Sequence, residues 1–338
     1  MNNASCFPPT NNEPPDDLRQ TVYAVISPVI LAFGLLLNTF SLFAAAKSAL
    51  NSVALSYLLS LILSNVALMI LAVPWLIHRS SDQAECHTHS NAFYHAYIEP
   101  PLLNWMTTFS TYVLVCMSFE RYVSITHPGF FRRIHILSKA QIVLVSSLLL
   151  ALVIHIPMFL KQTMTCSDCW TTVLNIQVTS TTSWLAYTWI VQILSRFLPC
   201  AALVFLNISA IIKYRRIINK RSKMTTNAVS NSQLNTPSSS LTNLNNVKIP
   251  KKPPSQSSQD EKRQLRLLSG LVCLVALCII PAGVAALLPS QYSTFRVVVE
   301  ALELFHHAVV SFVICLCNND IHRRLRKMIT CTSAALSV

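Results

Sequence analysis

Few residues in this sequence can do chemistry, and most of them are ionisable side chains set in apolar surroundings. Glu120 and Arg121 stand together at the end of one long apolar run. Glu99 lies near the start of the same run, Arg196 about one turn before Pro199, and Glu300 and Glu303 early in the last run. Charges in such settings are costly and are usually kept for function. Their chemistry is ion pairing and recognition of a charged ligand, not bond breaking. A metalloprotease wants His-Glu-x-x-His and a serine hydrolase a Gly-x-Ser-x-Gly-like elbow. Neither occurs, and the four glycines (Gly34, Gly129, Gly270, Gly283) leave no paired glycine–aspartate protease site. No enzyme activity, metal or cofactor is expected.

The elements that must hold these charges follow from composition. Of 338 residues, 52% are hydrophobic and 12% charged, where a soluble domain carries about a quarter charged. Apolar runs recur over 21–46, 53–77, 93–125, 138–160, 184–213, 264–288 and 295–317. Runs of about 20 residues match a bilayer core at 1.5 Å per residue, and only helices or closed barrels satisfy their backbone in lipid. The expected fold is therefore an all-α membrane protein, a seven-transmembrane helix bundle. The fifth span could be two short pieces; the third and seventh carry polar residues and are the weakest by hydropathy. Pro74, Pro157, Pro199 and Pro281 fall in or near spans, where proline is tolerated and tends to kink helices. Internal repeats and Gly-rich midplane breaks, the marks of a transporter, are missing.

Lys and Arg set the orientation. With the N-terminus outside, every basic residue except Arg19, Arg79, Lys161, Arg196 and Arg296 falls in a segment inside the cell. The expected location is the plasma membrane, multi-pass, with the C-terminus cytoplasmic. No basic-then-apolar leader precedes the first span, so that span is expected to direct insertion. The net charge of +13 suits anionic headgroups and intracellular partners. Without an Arg-rich recognition helix or zinc spacing, no nucleic acid is expected.

Residues 1–20 form an outer tail, 21–317 the seven-span domain, and 318–338 an amphipathic helix and cytoplasmic tail. The stretch 217–260 is rich in Ser, Asn, Thr, Gln and Pro and is expected to be disordered, either a kinase-accessible regulatory loop or a plain linker. Ile321, Leu325, Met328 and Ile329 recur at helical spacing opposite cations, giving a short amphipathic eighth helix on the inner leaflet. Cys331 after it is a palmitoylation candidate or a free thiol. Asn3-Ala4-Ser5 is an outside glycosylation sequon, used or unused. Cys6, Cys86, Cys166 and Cys169 lie outside the spans, where oxidising conditions permit disulfides.

The third span ends in Glu120-Arg121-Tyr122, followed by His127-Pro128. This resembles the Asp/Glu-Arg-Tyr motif of rhodopsin-like G-protein-coupled receptors; the alternative is a pair of snorkelling anchors. Asn38 matches the family's first-span asparagine and Pro199 its fifth-span proline. Other landmarks depart from the family. Asn65 stands for its usual aspartate, Ile279 for the tryptophan before Pro281, Ser311–Cys315 for Asn-Pro-x-x-Tyr, and Ser147 for the fourth-span tryptophan. Phe93-Tyr94, Pro100-Pro101 and Leu206-Asn207-Ile208 resemble invertebrate FMRFamide-receptor-like neuropeptide receptors.

The resemblance implies that Arg121 is held at rest by Glu120 and by an acid on the sixth helix, here Glu261, whose alternative is a solvated charge. It implies an outward swing of that helix about Pro281, with heterotrimeric G protein, kinases and arrestin as partners. It also implies a disulfide from the third span to the second outer loop. The usual third-span position is Ala96, so Cys86 with Cys166 or Cys169 is expected, the choice left open. The family's sodium site is expected to fail, because a hard cation wants charged oxygens: Asn65 is neutral, His307 and Ser311 replace the usual seventh-span polar partners, and only Ser110 fits. The implied ligand is an extracellular peptide, possibly amidated, whose cation would meet Glu99, Glu300 or Glu303. The alternative for those acids is an internal pair with Arg196. Asn104, Trp105, Thr108, Gln192, Tyr187 and Phe305 are candidate pocket walls. Other readings are an amine or small-molecule receptor, and a receptor-like protein that couples weakly or not at all.

Overall fold

A computed structural model of the chain describes residues 16–46, 53–80, 88–166, 170–234, 256–288 and 292–317. Seven long helices follow one another: α1 (residues 16–46), α2 (Val53–Ser80), α3 (His89–Thr126), α4 (Leu137–Leu160), α5 (residues 182–234), α6 (Gln256–Leu287) and α7 (Ser293–Cys317). Six are long and apolar enough to cross a membrane, and α6 contains a shorter apolar stretch, Val272–Leu287. Between α4 and α5 lies an antiparallel hairpin of β1 (Gln162–Cys166) and β2 (Trp170–Leu174), with Gln162 opposite Leu174 and Cys166 opposite Trp170. Its Thr, Val and Trp residues suit a pleated, half-buried surface.

The helices close into a ring. α1 packs on α2 and α7, α5 on α6, and α6 on α7, while α3 touches α2, α4 and α5 from within. One apolar core joins Tyr57 and Leu61 of α2, Val113 of α3, Leu144 of α4, Leu203 of α5, Ile279 of α6 and Val310 of α7. The outward faces carry exposed Val29, Phe43, Ile142, Phe205 and Leu277, as expected where lipid replaces water. α3 has the lowest hydropathy of the six because Thr108, Ser110, Thr111 and Ser118 point inward and are buried.

Three helices contain a π-helical turn, and each turn ends two residues before a proline. Thr21–Ile26 precedes Pro28, Tyr94–Ile98 precedes Pro100, and Ile193–Phe197 precedes Pro199. The residue before each proline bonds five residues back: Ser27 to the Val22 carbonyl, Glu99 to Tyr94 and Leu198 to Ile193. A proline ring clashes with the carbonyl four residues earlier, and a local π-bulge relieves that clash without ending the helix. The fifth span is therefore one helix rather than two pieces. At Pro157 the chain instead tightens into a 3₁₀ turn, Ile156–Leu160.

Part of the stretch 217–260, expected to be disordered, is helical: its first residues continue α5 and its last ones open α6. α5 runs on to Leu234 and α6 starts at Gln256, because extending a formed helix is far cheaper than nucleating one. Residues 235–255 lie outside the described residues, as do Asn3, Cys86, Cys169, Cys331 and the segment 318–338 expected to hold the eighth helix. Cys166 closes β1.

Candidate functional site

Ionisable residues gather at the end of the bundle that carries the hairpin. Glu303 sits a few turns into α7 and meets Arg196 of α5, with Nη2 2.9 Å from one carboxylate oxygen and 3.2 Å from the other. Arg196 lies inside the π turn Ile193–Phe197, so the bulge before Pro199 sets where its guanidinium points. Glu300, one turn earlier on α7, accepts a hydrogen bond of 2.6 Å from the Tyr23 hydroxyl of α1. Glu99 accepts from His95 one turn before it on α3, and the His95 ring stacks on His78 of α2 at 4.2 Å. Each of the three acids thus already has a partner inside the protein.

Cations surround these acids. Arg79 at the end of α2 lies within electrostatic reach of Glu300 and Glu99. Arg296 at the start of α7 donates to the carbonyls of Leu288 (3.1 Å) and Ala285 (3.4 Å) at the end of α6. Lys161 joins α4 to β1. Its backbone is fixed by Lys161 N–H to the Met158 carbonyl and by Asn175 N–H to its own carbonyl. Burial pushes the Lys161 amine below the ordinary lysine range. Arg79, Arg296 and Arg196 act in the same direction, and Glu300 opposes them.

The remaining expected wall residues divide. Thr108 and His155 meet at 2.8 Å between α3 and α4, and Gln192 is buried on α5. Trp105 donates to the Leu148 carbonyl of α4 and Tyr187 to that of Ile154, so both clamp α4 against its neighbours. Asn104 bonds the Pro100 carbonyl of its own helix. Phe305 is 40% exposed on the outer surface of α7.

Midway down the bundle, Asn65 joins three helices. Its Oδ1 accepts from Ser110 Oγ of α3 (2.9 Å) and lies 3.0 Å from His307 Nδ1 of α7, while its Nδ2 donates to Ser311 Oγ (2.7 Å). Asn38 Nδ2 of α1 donates to the carbonyls of Gly34, Ala308 and His307 at 2.8, 3.1 and 3.4 Å. Gly34 permits this approach, because a Cβ there would lie 2.7 Å from the Ala308 Cβ.

At the far end, α3 finishes with Glu120, Arg121 and Tyr122. A short helix, Pro128–Ile134, follows and delivers His135, whose Nδ1 lies 2.8 Å from Glu120 Oε1. Glu261 lies on α6, and Pro281 lies within the same helix.

Seven helices in this ring, with an Arg-bearing end on the central α3, agree with a match over residues 38–320 to the 7 transmembrane receptor (rhodopsin family). The chain belongs to the rhodopsin family of seven-transmembrane receptors. The receptor is similar to "Probable G-protein coupled receptor B0563.6" of Caenorhabditis elegans, 26% identical over 88% of this chain and 67% of that protein. It is also similar to "Probable G-protein coupled receptor AH9.1" of the same organism, 23% identical over 92% of this chain and 76% of that protein. It is a multi-pass membrane receptor and not an enzyme. In the receptor, Ile279 is fully buried in the shared core, so the place of the family's tryptophan is filled by packing.

Sequence reasoning missed four partners: Tyr23 for Glu300, His95 for Glu99, His135 for Glu120 and His155 for Thr108. His95 alone had a local signal, its spacing of four from Glu99. The other three reach their partners from distant segments.

Proposed function

We propose that the receptor recognises an extracellular peptide and passes the signal to a heterotrimeric G protein by outward movement of α6. The observation that carries this reading is Glu120-Arg121-Tyr122 at the end of α3, opposite the charged cluster at the hairpin end. Arg121 is a permanent cation, suited to hold the bundle closed through Glu120 and Glu261 and to meet the G protein once released. Pro281 inside α6 supplies a point about which that helix can bend. The basic-residue bias supports an outer N-terminus in the plasma membrane.

In this reading the hairpin end faces outward. Gln192, Arg196, Glu99, Glu300 and Glu303 are the ligand-facing residues, with Asn104, Trp105 and Thr108 supporting them. Glycosylation at Asn3, a disulfide between Cys86 and Cys166 or Cys169, palmitoylation at Cys331, and kinase and arrestin action on the α5–α6 segment belong to the same proposal. The peptide class follows the resemblance to FMRFamide-receptor-like proteins.

A second reading is a seven-helix protein that binds ligand but couples weakly. It is favoured by the Asn65 network, which is neutral and has each polar atom of the asparagine engaged. The test is to express the receptor with a promiscuous G protein and screen amidated peptides and amines. The first reading expects a response that Arg121→Ala reduces by at least about tenfold. Ligand binding without any G-protein response supports the second.

A further inference from the structure

We infer that the hairpin end of the bundle accepts an anionic group of the ligand, a carboxylate or sulfate, with Lys161 as its principal partner. The inference rests on the reading that this end faces the ligand. Among the described residues, Arg79, Lys161, Arg196 and Arg296 are four cations gathered around three acids, Glu99, Glu300 and Glu303. The acids are spent: Glu303 on Arg196, Glu300 on the Tyr23 hydroxyl and Glu99 on His95. A ligand cation would have to displace one of these partners. Breaking a largely buried charge pair leaves the other charge exposed to a low-dielectric surrounding, which is strongly unfavourable.

Lys161 is in the opposite position. Among the described residues no carboxylate lies within ion-pair distance of its amine. Three guanidinium groups, those of Arg79, Arg296 and Arg196, lie within electrostatic reach, against one carboxylate, Glu300, which the Tyr23 hydroxyl already engages. The lysine is half-buried, so water reaches it incompletely, and its backbone is clamped at the base of the hairpin. A half-buried cation facing other cations is relieved by an incoming anion, and the side chain has three donors to offer. Arg79 and Arg296 add positive potential at the same place. Arg296 already spends one guanidinium nitrogen on two carbonyls, which fixes the group in place.

The experiment uses the full-length receptor purified into lipid nanodiscs, with thermal unfolding followed at constant ionic strength. The probes are N-acetyl-phenylalanine for a terminal carboxylate, N-acetyl-aspartic acid amide for a side-chain carboxylate, and inorganic sulfate. N-acetyl-phenylalanine amide is the neutral control and N-acetyl-arginine amide the cationic one. A group that binds only the folded state raises the melting temperature with the logarithm of its concentration. At least one anionic probe is expected to do so, and the one that acts identifies the source of the anion. The neutral and cationic amides are expected to leave the temperature unchanged. Lys161→Gln should raise the concentration needed by roughly tenfold or more, and Lys161→Arg should retain the effect.

Stabilisation by the arginine amide in place of the anions, no effect from any anion, or an effect undiminished in a folded Lys161→Gln receptor would overturn the inference. Should Lys161→Gln fail to fold, the wild-type comparison of acid with amide decides. G-protein activation is not part of this readout. A receptor that binds the anions yet never couples would count against the proposed function and leave this inference standing.

Discussion

Glu120 Oε1 lies 2.8 Å from His135 Nδ1, so the acid beside Arg121 is gripped by the segment that follows α3. The two side chains are 12% and 34% exposed. Because the His135 side is open to solvent, the pair is worth about 0–1 kcal/mol, enough to change a two-state population by about fivefold at most. In the proposed mechanism, His135→Ala loosens Glu120 and raises basal signalling by up to about fivefold. Basal activity at equal surface expression measures this, and no rise would show that the pair weights neither state.

Arg196 and Glu303 are a different case, being 11% and 17% exposed. Glu303→Leu strands a cation among α5, α6 and α7 and should cost about 3–5 kcal/mol. Adding Arg196→Met removes the stranded charge, so the double variant should be more stable than Glu303→Leu alone. Melting temperatures of the purified proteins compare them; a double variant worse than both singles would rule out this account of the pair.

Gly34 sets the spacing of α1 against α7. A Cβ there would lie 2.7 Å from the Ala308 Cβ and 3.2 Å from the Met69 sulfur. Overpacking of this kind costs about 1–3 kcal/mol, so Gly34→Ala should lower both melting temperature and surface expression. Ala308→Gly in the same chain should restore part of the loss, which separates a steric clash from a general helix effect.

The Asn65 site should ignore sodium. Its neutral amide is already bonded to Ser110 and Ser311 and faces His307, while a hard cation needs charged oxygen ligands. Exchanging sodium for potassium at constant ionic strength is expected to leave the melting temperature unchanged. A sodium-specific rise would mean that another acid reaches the site.

The sequence by itself determined the seven apolar runs, the direction of the charge bias and the Glu120-Arg121-Tyr122 end of α3. These are local properties: span length is set by bilayer thickness, and a three-residue motif needs no folding to be seen. The prolines were legible too, but not their consequence. That Pro28, Pro100 and Pro199 each widen the preceding turn into a π-bulge depends on neighbouring helices holding the chain helical through a break. The bulge at Ile193–Phe197 in turn aims Arg196.

Only the tertiary structure decided which charge meets which. Glu300 finds Tyr23 and Arg196 finds Glu303 across 277 and 107 residues of sequence, distances at which no periodicity carries a signal. The same holds for Lys161, which reads as one basic residue in a loop. Its meaning depends on α2, α5 and α7 placing Arg79, Arg196 and Arg296 around it. A single sequence records each charge, but the sign of the space between them emerges only when the ring closes.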